Sequence, residues 1–260
     1  MCENYFNETS SKGVKCSMQT KTLKYKPLKR RAWDAKTLFK DIDPTSIRID
    51  QAAKEKFKPF FWADLCAEYD AVNFYNELST FKRQFSPEFN SFIENWYLDE
   101  CNHTNGFKCI YSLLYGESED KLLKKLNSRT PDFTELKHFF KDEFELCVLF
   151  AYDEFATVQT YKKDIFYKKF GPSQFSEWIQ NVIADEAMHF GNLVRLIRYN
   201  HRNKLNKTKE VLQKIVQYEQ NMNAYKATFL FDHDGPHFML TTSELTNKCA
   251  NSVLQKIIGA

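Results

Sequence analysis

Two Glu-x-x-His pairs, Glu100/His103 and Glu186/His189, are the residues of this chain best suited to do chemistry. On a helix, residues three apart share a face, so each pair offers one carboxylate and one imidazole to a single point. A lone glutamate precedes each pair at the same interval: Glu68 lies 32 residues before Glu100, and Glu154 lies 32 before Glu186. The six side chains form a donor set for two divalent cations, with four carboxylates to balance charge and two imidazoles to complete coordination. Glu100 and Glu186 are expected to bridge both ions, Glu68 and Glu154 to lean toward one each or bridge, and His103 and His189 to bind one each. Asp99 and Asp185 stand just before the pairs. They either accept the imidazole N–H of a histidine from the other half of the chain or face solvent.

The repeat runs beyond the ligands. An offset of 86 also lays Asp99 on Asp185, Phe89 on Phe175 and Ile93 on Ile179, and aligns Phe85-Ser86-Pro87 with Phe170-Gly171-Pro172 to within one residue. Two similar helical hairpins are implied. Apolar residues recur at helical spacing from Phe57 to Phe81 around Glu68, giving a first helix. Ser86 as N-cap, Pro87 in the first turn and Gly116 at the far end bracket a second, with its ligands in the middle of an apolar stripe. A third is expected from about Leu136 to Phe170 around Glu154, and a fourth follows Gly171-Pro172-Ser173, carrying Glu186 and His189 before a basic end, Arg195 to Lys209. In each hairpin the ligands fall roughly 20–25 Å from the bend at 1.5 Å per residue, so they meet at one height. The polar stretch from 117 to about 136 must then return along the bundle as a long crossover. Residues 205–230 read as a fifth helix, and the tail after it is unassigned. The expected organisation is an N-terminal extension over 1–50, a bundle over 51–205 and a C-terminal helix and tail over 206–260.

Bulk composition agrees with a helical domain. The chain has 260 residues, 43% of them hydrophobic, with only 7 Gly and 7 Pro, which suits long helices and a buried core better than a turn-rich β protein. It shows no apolar run of bilayer length and no apolar signal core, so a cytoplasmic protein without a membrane span is expected. Seven cysteines form no Cys-x-x-Cys pair and read as reduced thiols, those at Cys66, Cys101 and Cys147 acting as small apolar residues. A net charge of +3 is too small to argue for nucleic acid, and the basic stretch from Lys21 to Arg31 reads as a solvated arm. His233 and His237 match no metal-ligand spacing and are expected in an exposed turn.

The segments Glu154-Phe-Ala-Thr157 and Ala184-Asp-Glu-Ala-Met-His189 resemble the third and fourth helices of the soluble fatty acyl-carrier-protein desaturases, which carry Glu-x-x-Thr and Ala-Asp-Glu-x-x-His. Trp96-Tyr-Leu-Asp-Glu-Cys-Asn-His103 is similar to that family's second helix, although Asp99 stands where the family has glutamate. The similarity spans about residues 60–200. It implies an all-α, ferritin-like four-helix bundle made of two helical hairpins joined by a long crossover, here with an additional C-terminal helix. It also implies a pair of iron ions, Fe2+/Fe3+ (manganese fits the same donors), and assigns Thr157 a part in oxygen activation or proton delivery. Outside the ligand helices no segment matches, so substrate does not carry over. Other ferritin-like oxygenases share the pattern: tRNA hydroxylases, aldehyde-deformylating enzymes, quinone-ring hydroxylases and arylamine N-oxygenases. The last carry a further histidine one turn before the final pair, where this chain has Val182.

The leading expectation is an O2-dependent oxidoreductase of monooxygenase or desaturase type, acting on a small organic or carrier-bound substrate. Trp96, Tyr97, Tyr161 and Phe190 would wall its pocket. Such chemistry requires electrons from a ferredoxin or flavoprotein reductase; a homodimer is open, and nucleic acid is not an expected partner. Ferroxidase or iron-storage activity is the alternative, followed by a di-manganese, mixed-metal or radical-generating carboxylate protein.

Overall fold

The computed structural model describes Pro27, residues 30–163, 166–232 and 243–259. Among these residues all regular structure is helical. A short helix α1 (Ala35–Phe39) leads into α2 (Gln51–Tyr69) and α3 (Ala71–Thr80). The long α4 (Pro87–Tyr115), a short α5 (Glu119–Asn127), α6 (Glu143–Lys163), a single turn α7 (Phe166–Lys169), α8 (Ser173–Asn200), α9 (Thr208–Asn221) and α10 (Ser243–Ile258) follow. No helix among them is long and apolar enough to cross a membrane.

Local chemistry fixes the ends of α4 where the sequence places them. The Ser86 hydroxyl accepts the Phe89 N–H, Pro87 occupies the first turn, and Gly116 closes the helix at φ 67°, a left-handed conformation that a residue with Cβ resists. The expected first helix is instead interrupted. Asp70 separates α2 from α3, and its buried carboxylate receives Arg129, the Tyr225 hydroxyl (2.7 Å) and the Asn73 amide (3.1 Å). The third helix starts later than expected, at Glu143, because a 3-10 turn over Phe139–Lys141 precedes it and the Asp142 carboxylate caps the Phe144 N–H at 2.8 Å. It is helical through Lys163 and again over Phe166–Lys169, so helical residues reach almost to the expected end at Phe170. The crossover contains α5 and is partly helical.

The fifth helix, expected through 230, ends at Asn221. Ala227, Phe229 and Phe231 adopt left-handed backbone (φ 55°, 71° and 61°), and this unwound segment drives Phe229, Leu230 and Phe231 into the core. In the tail, which the sequence leaves unassigned, α10 packs against α6, α8 and α9. Most of the Lys21–Arg31 stretch and both His233 and His237 lie outside the described residues.

Helix α6 packs along α8 and α2 along α4, while α4 also contacts α8. The buried apolar residues divide into two clusters, and the division falls at one height in every bundle helix. On α4, Phe89, Ile93 and Trp96 belong to one cluster and Phe107, Ile110 and Leu114 to the other. On α8 the order reverses, with Trp178 and Val182 in the second cluster and Leu193 and Leu196 in the first. The residues between are the polar ones. Trp96 and Trp178 are fully buried on either side, each withdrawing roughly 150–250 Å² from water, worth about 4–6 kcal/mol before entropy is counted. Close approach of α4 to α8 depends on Gly106, where an added Cβ would stand 2.0 Å from Trp178 Nε1.

Candidate metal centre

Glu68, Glu100, His103, Glu154, Glu186 and His189 converge in the polar layer between the two apolar clusters, and all six are buried. They form two overlapping groups, each with its donor atoms within 4.8 Å of one another: Glu68, Glu100, His103 and Glu186 in one, and Glu100, Glu154, Glu186 and His189 in the other. His103 Nδ1 lies 3.5 Å from Glu68 Oε2, 3.3 Å from Glu100 Oε2 and 3.1 Å from Glu186 Oε1. His189 Nδ1 lies 3.4 Å from Glu100 Oε1, 3.3 Å from Glu154 Oε2 and 3.2 Å from Glu186 Oε2. Donors held about 2.0–2.2 Å from a common ion stand roughly 3–3.5 Å apart, so these separations suit metal coordination in each group. Glu100 and Glu186 give one oxygen to each.

The donors are poorly satisfied by the protein itself. Glu68 Oε2, both Glu100 oxygens, His103 Nδ1 and both Glu154 oxygens are buried without a well-formed hydrogen bond. Leaving such groups ionised and unpaired costs several kcal/mol each. Burial, reinforced by the neighbouring Glu186 carboxylate, pushes the Glu100 and Glu154 carboxyls well above the usual range. Burial also works against charge on the two imidazoles, but the surrounding carboxylates outweigh it, Glu100 foremost at His103 and Glu154 at His189, and hold both far above ordinary histidine. Glu186 is also penalised by burial, yet contacts from Glu154 and both imidazoles hold it low. The metal-free cluster therefore retains protons. Two divalent cations would neutralise the four carboxylates without them, and the residues present fit such a pair.

A second ring fixes the imidazoles. With Nδ1 turned to the carboxylates, His103 Nε2–H donates to Asp185 Oδ2 at 3.4 Å and His189 Nε2–H to Asp99 Oδ2 at 3.2 Å, so each aspartate serves the histidine of the opposite hairpin. Neither faces solvent; both are buried. The sequence reading missed what covers them. Arg30 donates to Asp99, Arg31 lies 3.8 Å from Asp185, and Trp33 Nε1 donates to Asp185 at 2.5 Å while its ring stacks 6.0 Å from that of His103. Buried Asn102 pins this strap, accepting the Ala35 N–H (2.8 Å) and donating to the Trp33 carbonyl (3.2 Å). The C-terminal end of the supposed solvated arm is thus packed on the site. The one sequence signal was a tryptophan two residues after the last arginine.

Tyr161 is buried in the second apolar cluster and its hydroxyl donates to Glu68 Oε1. Thr157 lies one turn beyond Glu154, half-buried, with its hydroxyl on the Asp153 carbonyl at 3.1 Å. Cys66 and Cys147 are buried as expected, whereas Cys101 is exposed. Val182 is buried in the apolar cluster.

Two cavities reach the layer, one beside the break between α2 and α3 and the other beside Arg30 of the strap. One, of about 220 Å³, lies where α2 gives way to α3 and has Glu68 and Glu100 in its wall with Tyr69, Val72, Tyr97 and Thr104. The other, of about 210 Å³, runs from Arg30 and Asn95 past Phe92 and Trp96 to Asp99 and His189. Of the expected pocket aromatics, Trp96 and Tyr97 each line one of them; Tyr161 instead serves Glu68, and Phe190 packs on Phe155 at 5.1 Å.

The described fold and site define a helical protein with a buried carboxylate–histidine cluster able to hold metal. No family model, curated protein or solved structure matches the chain.

Proposed function

We propose that this chain is a ferritin-like di-iron protein that uses O2 to oxidise a small organic substrate in the cytoplasm, with electrons from a ferredoxin or flavoprotein. The observation that carries the reading is the sharing of Glu100 and Glu186 between two histidine-centred donor groups, which favours a coupled pair of ions over two independent ones. A bound iron pair would supply two-electron oxidising power. The chain's own residues do the rest. Glu68, Glu100, Glu154 and Glu186 balance the charge, Asp99 and Asp185 fix the imidazole orientation, and the paired apolar clusters wall the layer on its two sides along the bundle. The cavity at the α2–α3 break gives a substrate of modest size direct approach to Glu68 and Glu100. Thr157 would serve by passing a proton once its hydroxyl leaves the Asp153 carbonyl.

That cavity favours organic oxidation over storage, because a ferroxidase requires only passage for iron. The test is to load the protein with Fe2+, reduce it, expose it to O2 and follow the oxidised di-iron absorption with and without extracts of small metabolites. Decay accelerated by one component, with that component consumed, is the expected result. Accumulation of many ferric ions per chain, indifferent to every organic component, would establish storage instead.

A further inference from the structure

A second donor cluster lies elsewhere in the bundle, where the N-termini of α4 and α6 meet the C-terminus of α8. Glu143 and Cys147 are four residues apart on α6 and so share a face, and His201 caps α8. One oxygen, sulfur or nitrogen from each lies within 4.8 Å of the others, with His201 Nε2 3.0 Å from Glu143 Oε1. Eleven residues separate Glu143 from Glu154, which is about 16 Å along α6, so this cluster is distinct from the central layer.

We propose that Glu143, Cys147 and His201 bind a single divalent ion of the zinc class. The donor set argues for that class: one thiolate, one imidazole and one carboxylate suit a borderline-soft cation, whereas the central layer contains no sulfur and favours harder ions. Cys147 is fully buried, among the described residues no hydrogen bond ties its thiol to the protein, and it stands beside the Glu143 and His201 donors. Glu143 is held from behind by the Ser86 N–H and by the Ser86 hydroxyl at 2.8 Å, which in turn receives the Asn200 amide at 3.1 Å. These contacts orient a ligand carboxylate and remain when an ion replaces the direct His201 contact. Lys204, which lines the same cleft, is held by Asp142 at 2.8 and 3.1 Å. A surface cleft lined by Glu143, His201 and Asn200 leaves an entry path and a fourth position for water. Binding expels the thiol proton, and the imidazolium proton where His201 carries one, to solvent; no redox step is involved. The ion would staple three helix ends together.

Cobalt distinguishes the two sites, because only a thiolate ligand gives an intense near-ultraviolet charge-transfer band. Co2+ titrated into reduced, metal-free full-length protein is expected to produce that band with a stoichiometry of about one per chain, bleached when Zn2+ is added. Cys147→Ser should abolish it. Because a fully buried substitution can disturb folding, His201→Gln, at the wall of the cleft, is the second variant; it should weaken Zn2+ binding at least about tenfold, with helical content intact. Glu100→Gln and Glu186→Gln should leave the band in place, so failure here and failure of the central reading are separable. Absence of the band in the wild-type protein, its persistence in Cys147→Ser, or unchanged affinity in His201→Gln would overturn the assignment.

Discussion

Replacing Glu100 and Glu68 separately by glutamine distinguishes a shared ligand from a private one. Glu100 places one oxygen 3.3 Å from His103 Nδ1 and the other 3.4 Å from His189 Nδ1, whereas Glu68 approaches only His103, at 3.5 Å. Each of the two donor groups has four residues. Glu68→Gln leaves one position impaired and the other whole; Glu100→Gln impairs both. Loss of a group that merely orients a ligand costs roughly 10–100-fold in metal affinity, so neutralising a ligand itself should cost about 100-fold or more, about 2.8 kcal/mol per position. At Glu100 that loss applies twice, up to about 10⁴-fold for the pair.

The assay is metal content after dialysis against a chelator of graded strength, with far-ultraviolet circular dichroism to verify that the variants are folded. Where the wild-type protein keeps about two iron ions per chain, Glu68→Gln should keep about one and Glu100→Gln almost none. Glu154→Gln should follow Glu68→Gln, and Glu186→Gln should follow Glu100→Gln, because Glu186 approaches both imidazoles at 3.1 and 3.2 Å. Equal losses in Glu68→Gln and Glu100→Gln would refute the shared-ligand geometry, even if metal binding itself were real.

Two further outcomes are expected. Arg30→Met should weaken the His189 position and Trp33→Phe the His103 position, each by roughly 10–100-fold, since Arg30 holds the aspartate behind His189 and Trp33 the one behind His103; unchanged affinities in a chelator competition would show that the strap is passive. The metal-free protein should lose stability as pH rises. Against the effect of burial, His103 is raised chiefly by the Glu100 carboxylate and His189 by that of Glu154, so each acid–imidazole pair holds a shared excess proton whose contribution, complete below the ordinary values of 6.5 and 4.5, is lost as pH climbs through the raised range. Glu186 acts oppositely, its contribution vanishing only as pH falls below 4.5. Each retained proton is worth about 1.4 kcal/mol per pH unit over its window. Thermal unfolding between pH 6 and 9 should therefore show a falling Tm without metal and a growing gap to the iron-loaded form; a Tm that rises with pH in the metal-free protein would contradict the protonated cluster.

The inner ring of the site was legible because its signals are local. Glu-x-x-His is one helical turn, the spacing of 32 residues is one hairpin, and Ser86 and Gly116 mark helix ends by their own side-chain and backbone chemistry. What the pattern concealed depends on partners far away in the chain. Asp70 breaks the first helix because Arg129 and Tyr225, 59 and 155 residues on, hold its carboxylate. Arg30 and Trp33 look like a solvated stretch until Asp99 and Asp185, 69 and 152 residues away, are placed beneath them. The left-handed turns at Ala227, Phe229 and Phe231 carry no glycine to announce them; the gain from burying Phe229 and Phe231 offsets their backbone strain. The same division has a functional consequence. Periodicity along a helix suffices to aim four carboxylates and two imidazoles at one layer, but orienting each imidazole takes a side chain from the opposite hairpin and another from the strap. The strap therefore adds orientation to a ring that the bundle helices already bring together. The metal affinity of that ring should then depend on how firmly residues 30–35 are seated, which makes the strap variants the most direct measure of how the site is tuned.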